Sequence, residues 1–289
     1  MGQDHPTPPA SGRNPGQGRT SDFSHIASRY DSTRNLPDDR LAACYHRLIQ
    51  AGLIPNSGRI LDAGCGTGQA SLPLAALGYQ VLGIDISADM ASLAQSKVHP
   101  TWRAEYIVGD VRGIQAADQS FDAAIVSKLF QHVQDWQQVC RELVRVTRPG
   151  AHIIQVNERG AFGNDVRRHF AQKVDEFGFT RRYAGLSPHP DGDGVLAAFM
   201  QSQGCLPLAI DMSDLRWDIS VSYAAALQQI REGLFAEFWH LPQSTYQAAL
   251  ALTQAWVEAQ PHGADTVQQL RPYLDVKIFR TPAFVERGK

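Results

Sequence analysis

Leu61-Asp62-Ala63-Gly64-Cys65-Gly66-Thr67-Gly68 is the stretch on which the reading of this chain turns. Three glycines at alternate positions let the backbone turn sharply and let a ligand approach the main chain. Gly58-Arg59-Ile60 leads in as the start of a short buried strand, and Gln69 to Gly78 follows with small and apolar residues suited to a helix. Pro73 fits that helix only in its first turn, because deeper in it would remove a backbone bond. A strand, a glycine loop and a helix N-terminus form the opening of a nucleotide-type site. The spacing is G-x-G-x-G, not the G-x-G-x-x-G of dinucleotide binders, and this turns the reading away from NAD.

Working outward, strands and helices alternate. Residues 59–63 are the first predicted strand, followed by Val81 to Asp85, Glu105 to Val108, Phe121 to Ser127 and Ala151 to Asn157. Helices are expected over 22–53, where Leu41, Cys44, Tyr45, Leu48 and Ile49 share one face. Others are expected after Gly68, after the N-cap Ser87, and over 135–147 with Pro149-Gly150 as its stop. Such alternation implies an α/β, Rossmann-like, doubly wound sheet, mostly parallel. Ligands bind such sheets beyond the carboxyl ends of the strands, at the switch point. The glycine run, Asp85, Asp110 and the segment Ser127 to His132 all fall at such ends.

Composition narrows the class further. The chain has 289 residues and a formal net charge of −2. It is long enough for one large α/β domain with insertions, and no strong basic field favours nucleic acid. The four cysteines are far apart with no C-x-x-C pair, which fits reduced thiols in a cytoplasm rather than zinc or disulfides. Residues 1–20 are rich in Pro, Gly, Ser, Asp and Arg and are expected to be a disordered tail. They lack the apolar segment of a signal peptide, and no stretch approaches a membrane span. Cytoplasmic location is the expectation, and oligomeric state is not legible.

With these residues in place, the chain resembles the class I S-adenosylmethionine (SAM)-dependent methyltransferases of the type 11 or UbiE-like kind. Leu61 to Gly68 is similar to that family's first motif almost letter for letter. Asp85 resembles the acidic residue closing its second strand, Gly109-Asp110-Val111 its third-strand motif, and Arg148-Pro149-Gly150-Ala151 the turn before its fifth strand. The likeness covers roughly 22–157. It implies SAM as cofactor, with Gly64, Gly66 and Gly68 on the methionine side and Asp85 accepting from the ribose hydroxyls. Asp85 stands 17 residues after Gly68, close to the roughly 20 seen for ribose-binding acids. The resemblance also brings in Ile86, has Asp110 accepting from the adenine amino group with Val111 against the ring, and adds Ser127. Asp62 either accepts from the methionine ammonium or caps the turn. Cys65 is expected to be an inert buried thiol. Tyr30-Asp31-Ser32-Thr33-Arg34 resembles the family's segment closing over the methionine end, with Arg34 a forked donor for the carboxylate and Tyr30 a cover.

Methyl transfer is an in-line displacement at a carbon whose leaving group the cofactor carries. The protein supplies alignment, water exclusion and sometimes a base. His132, just after the fourth strand, is the candidate base; the alternative is a structural histidine. Past residue 157 the pattern changes. Helices are expected over 164–178 and 194–203 and through most of 218–265, with strands at Leu206 to Trp217 and Leu274 to Phe279, the last antiparallel. The expected organisation is thus a core over 21–157 with N-terminal cap helices, then the C-terminal part of the core, 158–289, with a helical substrate lid at about 158–193 and 218–265. Tyr183, Arg231, Phe235 and Trp239 are candidate acceptor contacts, although aromatics at helical spacing also build ordinary cores. A small-molecule acceptor fits best, as no Asn-Pro-Pro-Tyr or Asp-Pro-Pro-Tyr follows the fourth strand. The rivals are a carboxyl methyltransferase using Arg167, Arg168, Arg181 and Arg182 against an acidic acyl carrier, a SAM binder without methyl transfer, and a nicotinamide oxidoreductase.

Overall fold

Seven strands lie in the order β3-β2-β1-β4-β5-β9-β6 in the computed structural model, which describes residues 23, 24, 30 and 36–283. The strands are β1 (Arg59–Ala63), β2 (Gln80–Asp85), β3 (Ala104–Val108), β4 (Phe121–Val126), β5 (Thr147–Arg159), β6 (Leu206–Leu208) and β9 (Tyr273–Arg280). The pairs β1–β2, β2–β3, β1–β4 and β4–β5 are parallel, and β6–β9 is antiparallel. The order reverses between β1 and β4, which makes the carboxyl ends of these two strands the switch point. Parallel strands covered on both faces read as continuous apolar runs. In β4, Phe121 and Ala123 to Val126 are all fully buried.

The helices of this body are α1 (Asp38–Gln50), α2 (Leu72–Ala76), α3 (Ala88–Ser96), α4 (Trp136–Val146) and α6 (Pro190–Ser202). Pro73 does sit in the first turn of α2, and Ser87 caps α3 by accepting from Met90 N. In α4, Trp136, Val139, Cys140, Leu143 and Val146 form the buried stripe, the three-and-four spacing an amphipathic helix requires. Gly83 in β2 has a specific purpose. A Cβ there would lie 2.2 Å from Tyr106 Cδ1, so the absent side chain is what seats the Tyr106 ring.

The chain divides into two compact units. Arg159–Tyr183 and Trp217–Pro272 form the second, built on α5 (Asp165–Glu176), α7 (Tyr223–Arg231) and α8 (Gln243–Glu258). Its own core gathers Phe170, Tyr223, Ile230, Phe235, Phe238 and Tyr246. Asn164 and Ser222 cap α5 and α7 by accepting from Arg167 N and Ala225 N. Arg167 pairs with buried Glu237 and lies 4.4 Å over the Phe235 ring.

Several expectations are corrected. Pro149-Gly150 does not stop α4, which ends at Val146. Thr147 turns extended there and begins β5, so the Pro-Gly pair lies inside the strand. The strand expected from Leu206 to Trp217 is only three residues long. Beyond it Asp211 Oδ1 accepts from Ser213 N, and Arg47 donates to both Asp211 O and Asp214, holding a turn. Within 218–265 the helices are preceded by β7 (Ile219–Ser222), which pairs antiparallel with β8 (Val267–Leu270). Gln268-Gln269 hides that ribbon from an apolar-pattern reading. The proposed tail 1–20 and Arg34 lie outside the described residues.

Candidate functional site

The carboxyl ends of β1, β2, β3 and β4 open onto a cleft, the place where open α/β sheets bind their ligands. Of the candidate cofactor-binding and catalytic residues, Tyr30, Gly64, Gly66, Asp85, Ile86, Asp110, Val111, Ser127 and His132 line it. Phe23, Ser87, Met90, Gly109, Lys128, Leu129 and Val133 complete the wall.

The glycine loop is built by backbone geometry. Gly64 and Gly66 have φ of +71° and +53°, the left-handed region that side chains disfavour. A Cβ on Gly64 would sit 2.5 Å from Leu129 Cδ1, so the loop and the turn after β4 are in close contact. A Cβ on Gly66 would meet nothing within 4 Å, because that position faces the cleft. Gly68 differs. It does not line the cleft, and a Cβ there would press on Leu72 and Ala94 at 3.1–3.2 Å, so its smallness serves helix packing. Lys97 Nζ donates to Thr67 O at 2.9 Å and ties the loop to the end of α3.

Asp85 stands at the end of β2 with Oδ2 accepting from Gly66 N at 2.8 Å and Oδ1 from Ser87 N at 2.9 Å. These two bonds fix the plane of the carboxylate at the cleft wall, and a carboxylate held in this way is an acceptor of the kind a diol uses. Ile86, half exposed, and Val111, buried, add apolar surface beside it. Asp110 is gripped by the Arg112 guanidinium: Nε lies 3.0 Å from both carboxylate oxygens and Nη2 2.7 Å from Oδ2. The grip holds the Asp110 carboxyl below its usual range, against some desolvation. Arg112 Nη1 reaches on to Asp135 at 3.2 Å. Sequence reading missed Arg112, since nothing in the order of residues announces a guanidinium folding back two positions.

Asp62 does not line the cleft. It is fully buried, with Oδ2 accepting from Ser71 Oγ at 2.5 Å and Oδ1 without a partner among the described residues. Ser71 Oγ in turn lies 2.8 Å from the Tyr106 hydroxyl. Burial pushes the Asp62 carboxyl up to about 7, opposed by the Ser71 bond and assisted by the charge of Asp85. Cys65 is buried, and burial raises its thiol well above the usual range, as an inert thiol requires.

His132 ends a 3-10 turn over Phe130–His132, with Phe23 edge-on at 4.7 Å between ring centroids; Phe23 also meets Tyr30 edge-on at 6.0 Å. Beside it Lys128 has φ +52°, one of two non-glycine residues with positive φ among those described. Asn157 Oδ1 accepts from Lys128 N at 2.8 Å, and Lys128 Nζ pairs with Glu158 Oε2 at 3.2 Å. Backbone strain at Lys128 has no signature in residue type.

The acceptor candidates fall in the second unit. Phe235 is buried in its core, the Trp239 indole donates to Gly233 O at 2.6 Å, and exposed Arg231 donates to Gln254 at 2.8 Å. Tyr183 is half-buried, with its hydroxyl raised by burial. Among the described residues no group of His, Cys, Asp and Glu could hold a metal, and no helix is long and apolar enough to cross a membrane.

A doubly wound sheet with a left-handed glycine loop, a β2 carboxylate and an apolar ring wall at its switch point defines a nucleoside-cofactor site of the class I methyltransferase type. Residues 61–155 match the family described as methyltransferase domain. A demethylmenaquinone methyltransferase of Mycobacterium sp. (strain KMS) is 30% identical over 182 residues, 61% of this chain and 74% of that protein. The chain therefore belongs to the SAM-dependent methyltransferase family. A malonyl-[acyl-carrier protein] O-methyltransferase of Yersinia pestis is 36% identical over 132 residues, 46% of this chain and 47% of that one. The chain spans about half the length of the curated relatives it matches first. The crystal structure of the YcgJ protein of Bacillus subtilis shares the fold at TM-score 0.54 and 16% identity, covering 85% of this chain and 99% of that one. SAM is the family's cofactor. The Gly66 position open to the cleft, the diol-ready Asp85 and the apolar surface of Ile86 and Val111 fit an adenosine with an amino-acid end.

Proposed function

We propose that this protein is a cytoplasmic enzyme that transfers the methyl group of SAM to a small-molecule acceptor. The observation that carries the reading is Asp85 fixed by the backbone of Gly66 and Ser87 at the head of the cleft. SAM, when bound, supplies an electrophilic methyl carbon with its leaving group attached. Asp85 holds the ribose diol, Asp110 takes the adenine amino group and Val111 flanks the ring. Gly64 and Gly66 let the methionine end lie on the main chain, with Ser127 beside it and Tyr30 covering. Arg34 remains the proposed partner of the cofactor carboxylate. Asp62 acts from beneath the loop through Ser71. His132 takes the acceptor's proton at an imidazole nitrogen, and Phe23 against its ring restricts its orientation. Acceptor choice is assigned to residues outside 61–155, with Tyr183, Arg231 and Trp239 as the polar and aromatic candidates in a helical substrate lid.

The acidic-carrier reading is weaker on the arginines themselves. Arg167 is committed to Glu237 and the Phe235 ring, and Arg168 to Asp165, leaving Arg181 and Arg182 as the exposed pair. Calorimetry with SAM and S-adenosylhomocysteine, followed by a labelled-methyl screen of small hydroxyl, amine, thiol and carboxyl acceptors, tests the proposal. Heat with both ligands and label in a small molecule are expected; no heat with either refutes it. His132→Gln is expected to lower methyl transfer about 100-fold or more with S-adenosylhomocysteine affinity unchanged. Equal loss of both would make His132 structural.

A further inference from the structure

Lys128 is costly to build. A left-handed conformation is unfavourable for any residue with a Cβ, and such strain persists only where its surroundings over-determine it. Here the surroundings are specific. The Asn157 side chain, itself buried, accepts the Lys128 backbone N–H at 2.8 Å, and buried Glu158 takes the ammonium at 3.2 Å. An ammonium has three donors, and among the described residues Glu158 is the single hydrogen-bond partner of Lys128 Nζ. The side chain keeps 18% of its exposure and lines the cleft. The neighbouring guanidinium is otherwise committed: Arg112 is spent on Asp110 and Asp135. Leu129 against Gly64 keeps this turn in contact with the glycine loop.

We propose that Lys128 is a recognition residue for an oxyanion in the cleft, a carboxylate or an ionised hydroxyl, with Asn157 and Glu158 as the residues that position it. The inference rests on the SAM reading of the cleft. Two sources present that chemistry: the carboxylate of the cofactor's amino-acid end, and an acidic oxygen of the acceptor. Glu158 orients the ammonium, and the two remaining N–H donors point the site toward a second anion. Asn157 holds the backbone in the conformation that aims the side chain inward rather than along the strand.

The test compares the full chain with Lys128→Met, which keeps the backbone strain and the stem but not the charge, and with Lys128→Arg. The first titration uses S-adenosylhomocysteine and its decarboxylated analogue. A charge-assisted bond of this kind corresponds to about ten- to hundred-fold in affinity. If the oxyanion is the cofactor's, Lys128→Met loses that factor on S-adenosylhomocysteine and nothing on the decarboxylated analogue, and Lys128→Arg recovers most of it. If it is the acceptor's, S-adenosylhomocysteine binds both proteins alike. Benzoate, titrated into the S-adenosylhomocysteine complex, then binds wild type and not Lys128→Met. Equal loss on both cofactor analogues, or no difference between wild type and Lys128→Met in any titration, overturns the proposal. Failure of wild type to bind S-adenosylhomocysteine at all falls instead on the SAM reading.

Discussion

Asp62→Asn removes a charge from a place where the fold pays to keep one. Asp62 is fully buried, Oδ1 has no partner among the described residues, and its carboxyl is pushed up from an ordinary 3.8 to about 7, chiefly by desolvation. An acid with a raised folded pKa binds its proton more tightly when folded. Its contribution is therefore most favourable below about pH 4, where folded and unfolded forms are both protonated. It falls as pH rises from about 4 to about 7 and stays low above that. Each pH decade across that window is worth about 1.4 kcal/mol, so the penalty at pH 8 is at most about 4 kcal/mol. Asparagine has the shape of the protonated acid and retains an acceptor for Ser71 Oγ. Equilibrium urea unfolding of both proteins at constant ionic strength should show them equally stable near pH 4. Asp62→Asn should become progressively more stable than wild type, by about 2–4 kcal/mol at pH 8. The same substitution should weaken S-adenosylhomocysteine binding. A residue retained against stability has its reason in the site. A stability difference independent of pH would refute the reasoning.

Other expectations are shorter to state. Gly66→Ala adds a methyl into the cleft at φ +53° with no protein atom within 4 Å, so calorimetry should show at least about a tenfold loss of S-adenosylhomocysteine affinity while stability falls by only about 1 kcal/mol. Arg112→Gln removes the main cause holding the Asp110 carboxyl below its usual range. The acid limb of the binding profile should then move to higher pH, and an unmoved limb would separate Asp110 from the cofactor.

The sheet and the glycine loop were legible because their determinants are local. Apolar runs in β1, β2 and β4 and the Gly64-x-Gly66 spacing need no partner to be read, and Asp85 and Asp110 followed from standing at strand ends. Lys128 and Arg112 were not legible in the same way. Lys128 depends on an asparagine and a glutamate 29 and 30 residues away, and Arg112 on a side chain folding back onto Asp110. The aromatic run Phe235 to Trp239 could be read either as core or as site from spacing alone, since both uses demand the same periodicity. Packing against Phe162, Phe170 and Arg167 makes Phe235 and Phe238 core. The β7–β8 ribbon escaped because its polar alternation carries little hydrophobic signal.

Gly83 ends as more than a strand residue. A Cβ there would strike Tyr106 at 2.2 Å, and the Tyr106 hydroxyl is the far end of the chain that runs through Ser71 to Asp62. Positions 83 and 106 are consequently locked as a pair: sequences that descend from this one can enlarge the first only by shrinking the second. A lineage that made that exchange would surrender the phenol with the ring. The carboxylate under the glycine loop would then have to find another neighbour, so two unremarkable sheet positions set which evolutionary routes remain open to the loop above them.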